Sequence, residues 1–149
     1  MASHLLVSRT RQIIVVDFEY AGLNPAAFDI ANHFHEWTAD YHSATPHLLD
    51  SARYPDSEQR RNFYRAYLEY SNTSISSQEG PIEQRMDQLD VQVRHWSPAS
   101  HAMWAVWGIV QARETLEGEV VEESGFDYIG YGLARMEGFR REIRQLGIQ

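Results

Sequence analysis

A single stretch of this chain reads as a β-strand, and that limits its fold more than any other feature. Gln12-Ile13-Ile14-Val15-Val16-Asp17-Phe18-Glu19-Tyr20 is a β-branched apolar run that ends on acidic residues. This is the pattern of a buried strand whose C-terminal end presents a carboxylate. Everything after it carries helical signals. Ala21 to Asn24 is a turn, with Asn24 placed as N-cap and Pro25 as the first helical residue. Phe28, Ala31, Phe34 and Trp37 then recur at helical spacing, which predicts a helix over about 25–41. Residues 42–55, with Pro46 and Pro55, read as a loop. Asp56 or Ser57 caps a helix to about Tyr70, with Phe63, Tyr67 and Tyr70 on one face. The polar stretch from Ser71 to Gly80 reads as a surface loop, and a helix from about Pro81 to Trp96 follows. Ser97-Pro98 is a start signal for a separate, very apolar helix to about Gly118. Glu117 to Ser124 is a charged connection. The last helix runs from Phe126 to Leu146 with Phe126, Ile129, Leu133, Met136 and Ile143 as its apolar stripe, and Gly147 ends it. The expectation is one domain over residues 1–149, mainly α, with four or five helices and a short β element.

Composition narrows the chemistry. The chain carries 13 basic and 21 acidic residues, a formal net charge of −8, so it is poorly suited to nucleic acid or an anionic membrane, both of which need positive potential. All of the basic residues are Arg. With no Lys, a phosphate-loop lysine and Schiff-base chemistry are excluded within these residues. With no Cys, so are disulfides, thiolate metal sites and cysteine nucleophiles. The first ten residues have no apolar core of the signal-peptide kind, and the longest apolar run, Ala102 to Val110, is far short of the roughly 20 residues of a membrane span. A soluble, cytoplasmic chain is expected.

Three groups of residues could carry chemistry. His33-Phe34-His35-Glu36 combines metal-ligating residue types, but His33 and His35 point about 200° apart on one helix and cannot share a metal from it. A structural role is the better reading there. Asp17 and Glu19 lie two apart just after the strand, on one face of it, as a hard cation such as Mg²⁺ requires. A solvated strand end would look the same. Trp104 and Trp107 on one helix, and Tyr128 and Tyr131 on the next, each present two rings in one direction. Such stripes are more often core. The alternative is an aromatic box for a quaternary ammonium, held by cation–π attraction of about 2 kcal/mol when desolvated, with Glu36 as the balancing carboxylate.

Together these pieces resemble the C-terminal lobe of the choline/ethanolamine kinase family, on its choline side. The resemblance rests on Val16-Asp17-Phe18-Glu19-Tyr20-Ala21, on Asn24-Pro25 with Phe28-Asp29-Ile30-Ala31-Asn32-His33-Phe34 and Glu36-Trp37, on Tyr54-Pro55, and on the segment from Ala99 to Ala112 with His101, Trp104, Trp107 and Gln111. It implies a protein-kinase-like fold and ATP-dependent phosphorylation of choline to phosphocholine in phosphatidylcholine synthesis, with ethanolamine as the alternative substrate. Residue by residue, it implies that Asp17 and Glu19 bind Mg²⁺. It also implies that Glu36, Tyr41, Trp104, Trp107 and Tyr131 surround the ammonium group, with Tyr128 at the edge.

The departures are equally specific. Kinases of this family use an N-terminal ATP lobe with a lysine, and a catalytic His-x-Asp segment before the metal-binding Asp. None of the seven His residues here is followed by Asp two positions on. No catalytic residue is therefore assigned, and the isolated chain is expected to be inactive. A short insertion around Val120 to Phe126 also departs from the family. Three readings stay open: a kinase C-terminal lobe, a non-catalytic ammonium-binding module, and a helical domain whose aromatics are core. A lobe without its partner lobe should expose apolar surface, which leaves a homodimer open.

Overall fold

The computed structural model of the chain describes residues 4–7, 13–16, 20, 22–71, 80–117 and 126–148. Strand β1 (His4–Val7) pairs antiparallel with β2 (Ile13–Val16), in a register that sets His4 opposite Val16 and Val7 opposite Ile13. Helix α1 (Ala26–Glu36), a 3₁₀ turn (Ser51–Arg53), and helices α2 (Ser57–Ser71), α3 (Ile82–Leu116) and α4 (Tyr128–Gln145) follow. The described residues are mainly helical. β1 falls where the sequence predicts no element.

Helix α3 is the frame. It spans 35 residues without a break, whereas the sequence predicts two helices divided at Ser97-Pro98. Pro98 lacks the N–H that would reach the carbonyl of Arg94, a loss that usually interrupts a helix. Here Ser97 and Pro98 are buried, and the Ser97 hydroxyl bonds across to His35 of α1 at 2.8 Å rather than capping its own helix. α1, α2 and α4 all pack against α3, and that packing outweighs the local signal.

The main core lies between α1, α2 and the first half of α3. Ile30, Ala31 and Phe34 meet Tyr64 and Leu68 from α2, and Met86, Leu89 and Val93 from α3. The buried face of α2 is Tyr64 and Leu68, with the predicted Phe63 half-buried against the same core and the predicted Tyr67 and Tyr70 turned outward. Tyr70 is 80% exposed. Asp56 caps α2 reciprocally: its Oδ1 accepts from Gln59 N, and Gln59 Oε1 accepts from Asp56 N, each at 2.9 Å. Salt bridges from Arg60 to Asp90, Arg61 to Glu83 and Asp87, and Arg65 to Glu83 line the α2–α3 seam.

Two ends differ from expectation. α1 stops at Glu36, five residues early. Thr38 turns back on it, with its N–H and its hydroxyl both donating to the His35 carbonyl, and Ala39 then bridges to Leu49. Pro25, not Asn24, holds the N-cap position of α1; no side chain caps it, and the Asn24 amide instead reaches Gly22 O. α4 buries Tyr131, Gly132, Arg135 and Gly138, so the predicted stripe is off-register. Ile129 and Leu133 are 47% and 67% exposed. Asp127 caps α4 through Gly130 N at 2.7 Å.

Candidate functional site

Three segments converge beside the second half of α3. Glu36 is the last residue of α1, and Tyr41 follows it in the turn. Trp104 and Trp107 lie one helical turn apart on α3, as do Tyr128 and Tyr131 on α4. These six side chains, with Phe126, line one concavity of about 170 Å³. Pockets for drug-sized ligands run to roughly 300–1,000 Å³, so this one suits something much smaller.

The rings meet edge to face, the arrangement their quadrupoles favour. Trp104 and Trp107 have centroids 5.4 Å apart at 74°, and Trp107 and Tyr131 lie 6.0 Å apart at 81°. Tyr128 is 5.6 Å from Trp107, and Phe126 is 5.7 Å from Tyr131. Trp104 is nearly enclosed. Its indole N–H donates to Asn32 Oδ1 at 2.6 Å, and Ser100 Oγ donates to the same oxygen at 2.8 Å. Trp104 is thus anchored in the core at its nitrogen and borders the concavity as well. Tyr20 closes in from outside, accepting from Trp107 Nε1 at 3.1 Å and meeting Trp104 edge-on at 6.2 Å.

The charge in this concavity is set by Glu36. Its Oε2 accepts from the Tyr41 hydroxyl at 2.9 Å, and its Oε1 stands 3.5 Å from Nη2 of Arg135. Arg135 is fully buried, donates from Nε to the Tyr131 hydroxyl at 3.0 Å, and places its guanidinium carbon 5.2 Å from that ring's centroid. Burial pushes the Tyr41 hydroxyl well above its ordinary range, and the adjacent Glu36 carboxylate adds to this. Tyr41 therefore stays a donor. Burial raises the Tyr131 hydroxyl too, against the opposing pull of Arg135. A carboxylate has roughly four acceptor positions, and one hydrogen bond and one ion pair leave Glu36 free to take a further partner.

Every predicted pocket residue thus reaches one site. Phe126, Tyr20 and Arg135 are additions. Arg135 could have been found four residues after Tyr131, on the same helix face, but a buried Arg breaks an apolar stripe and is passed over. Asp17 and Glu19 lie outside the described residues. His33 and His35 do diverge: His33 stacks on Phe63 and accepts from Trp37 Nε1, while His35 points into the core toward Ser97.

The family model for choline/ethanolamine kinase matches residues 2–140. "Probable choline kinase 2" of Arabidopsis thaliana is 38% identical over 91% of this chain and 35% of its own length. "Choline kinase" of Schizosaccharomyces pombe is 35% identical over 96% of this chain and 40% of its own. "Choline/ethanolamine kinase" of Homo sapiens is 37% identical over 90% of this chain and 33% of its own. The matched part is thus 33 to 40% of these relatives' length. On the strength of a match covering nearly all of its residues, this chain belongs to the choline/ethanolamine kinase family.

Proposed function

We propose that this chain forms the amino-alcohol-binding, C-terminal lobe of a choline kinase with a protein-kinase-like fold. The reaction is ATP-dependent phosphorylation of choline to phosphocholine in phosphatidylcholine synthesis, in a cytoplasmic setting. The observation that supports this most is the convergence of Glu36, Tyr41, Trp104, Trp107, Tyr128 and Tyr131 on one small concavity. In this reading the rings face the trimethylammonium group and Glu36 balances its charge. Asp17 and Glu19 would hold Mg²⁺, their oxygens being the hard donors that ion takes, and Mg²⁺ bound there would neutralise charge on the ATP phosphates.

Phosphoryl transfer also needs a Lys on the nucleotide and an Asp to orient the hydroxyl. These 149 residues contain no Lys and no His-x-Asp. Losing general-base help alone typically costs about 10²–10⁴ in rate. An assay of these residues with ATP, Mg²⁺ and choline is therefore expected to show no ordinary turnover. Choline should still change the Trp fluorescence at roughly millimolar concentration, about 4 kcal/mol of binding. Ordinary turnover would overturn the assignment of roles. Ethanolamine perturbing the fluorescence as effectively as choline would move the substrate to the primary amine.

A further inference from the structure

A second cluster, drawn from α1, α3 and α4, shares no residue with the lining of the aromatic concavity. His35 of α1, His101 of α3 and Glu142 of α4 each offer one donor atom, all within 4.8 Å of one another. We propose that these three side chains form a binding site for a divalent transition metal of the Zn²⁺ class. This does not depend on the choline kinase reading.

Geometry carries the proposal. Glu142 Oε1 stands 3.4 Å from His101 Nε2 and 3.9 Å from His35 Nε2. Zinc binds imidazole nitrogen and carboxylate oxygen at about 2.0–2.2 Å, which puts neighbouring corners of its tetrahedron roughly 3.3–3.6 Å apart. The Glu142–His101 edge already fits, the Glu142–His35 edge closes with a shift of about half an ångström, and the two imidazole nitrogens, within 4.8 Å of each other, must draw together by up to about 1.5 Å. The two imidazole rings lie 4.1 Å apart, tilted by 48°.

Two members of the cluster, His101 and Glu142, also carry buried atoms without ordinary partners. The His101 side chain is 3% exposed, yet neither ring nitrogen has a hydrogen-bond partner, and neither has Glu142 Oε2. Buried polar atoms are normally satisfied, and an unsatisfied group asks for an explanation such as an ion. His35 Nε2 is engaged by the Ser97 hydroxyl at 2.8 Å; a metal at that nitrogen would displace this hydrogen bond and leave Ser97 to hold a metal-bound water.

An entry path exists. His35, Ser97, His101 and Glu142 all face a cavity of about 630 Å³ that Arg60 and Arg141 also line. Three protein ligands leave a tetrahedral metal one free position, and the two arginines suit it to water or a small anion. Two His and one carboxylate are borderline donors that favour Zn²⁺ and Co²⁺ over Mg²⁺.

The test uses the full chain without a His tag, stripped by a chelator and titrated with Co²⁺. One equivalent should produce the visible absorption of a four-coordinate site, and Zn²⁺ should displace it. Glu142→Gln and His101→Asn should each abolish the absorption, or weaken binding beyond the roughly 100-fold that even the loss of an outer partner can bring. His95→Gln, on an exposed part of α3, should leave it unchanged. Should both ligand variants fail to fold, the wild-type imidazole NMR signals decide: Zn²⁺ should shift His35 and His101 but not His42, His47 or His95. No absorption, absorption that survives in folded Glu142→Gln and His101→Asn, its loss in His95→Gln, or shifts confined to the other histidines would each overturn the site.

Discussion

Asn32 holds two side chains of α3 with one oxygen. Fully buried, it accepts from both Ser100 Oγ and Trp104 Nε1, so it fixes the ring that borders the pocket. Asn32→Leu would leave two buried donors without an acceptor, at about 1–3 kcal/mol each. The expected outcome is a lower denaturant midpoint and a shifted Trp emission. In a cycle with Trp104→Phe, the double variant should lose less than the sum of the singles, because the two share one hydrogen bond. Strict additivity would show that the bond contributes nothing. That Glu36 and the Trp pair belong to one group was legible in residue types and spacing. The Glu36–Arg135 pair was not, because α1 and α4 lie about 100 residues apart in the sequence and no local pattern links them.

Helices α3 and α4 pack backbone against backbone where both carry glycine. A Cβ on Gly132 would come within 3.1 Å of the Ala105 carbonyl oxygen, and one on Gly108 within 3.0 Å of the Tyr128 carbonyl oxygen. The pocket spans this seam, with Trp104 and Trp107 on one side and Tyr128 and Tyr131 on the other. Gly132→Ala should force the helices apart at about 1–3 kcal/mol, the usual range for overpacking, and should weaken choline binding in the protein that still folds. Leu133→Ala, next in the chain but 67% exposed, should stay within about 0.5 kcal/mol. Denaturant midpoints and choline titrations of both variants check this; equal effects would mean that the seam does not shape the pocket.

The helices themselves were readable from periodicity and caps, but which face each one buries was often not. On α2 the aromatic residues Phe63, Tyr64 and Tyr67 are close enough in sequence to allow two neighbouring faces, and contact with Met86 and Val93 of α3 selects Tyr64 and Leu68. On α4 the buried face includes Arg135, whose charge is matched by Glu36 and whose stem packs inward, so a count of apolar residues points to the wrong side. At Ser97-Pro98 a true local start signal was overridden by neighbours on three helices. The β1–β2 ribbon shows the same limit, since His4–Val7 gains its strand character from pairing with Ile13–Val16.

At the scale of the whole molecule, family and pocket were legible together. Glu36, Trp104 and Trp107 both carry the resemblance and line the concavity, where Tyr41, Tyr128 and Tyr131 join them. The His35, His101 and Glu142 cluster was illegible for the opposite reason. Read along the sequence, His35 has only His33 and Glu36 nearby, and both point elsewhere. The central claim is that the concavity selects a positive charge and not merely an apolar shape. The neutral carbon isostere of choline, 3,3-dimethylbutan-1-ol, separates the two, since it has nearly the same shape and no charge. The decisive measurement is a titration of the chain with each compound, followed by Trp fluorescence. Cation–π attraction across several rings, with Glu36 beside them, predicts that choline binds at least about tenfold more tightly, a difference of about 1.4 kcal/mol. Equal affinity for the two, or no response to choline at high millimolar concentration, would contradict it.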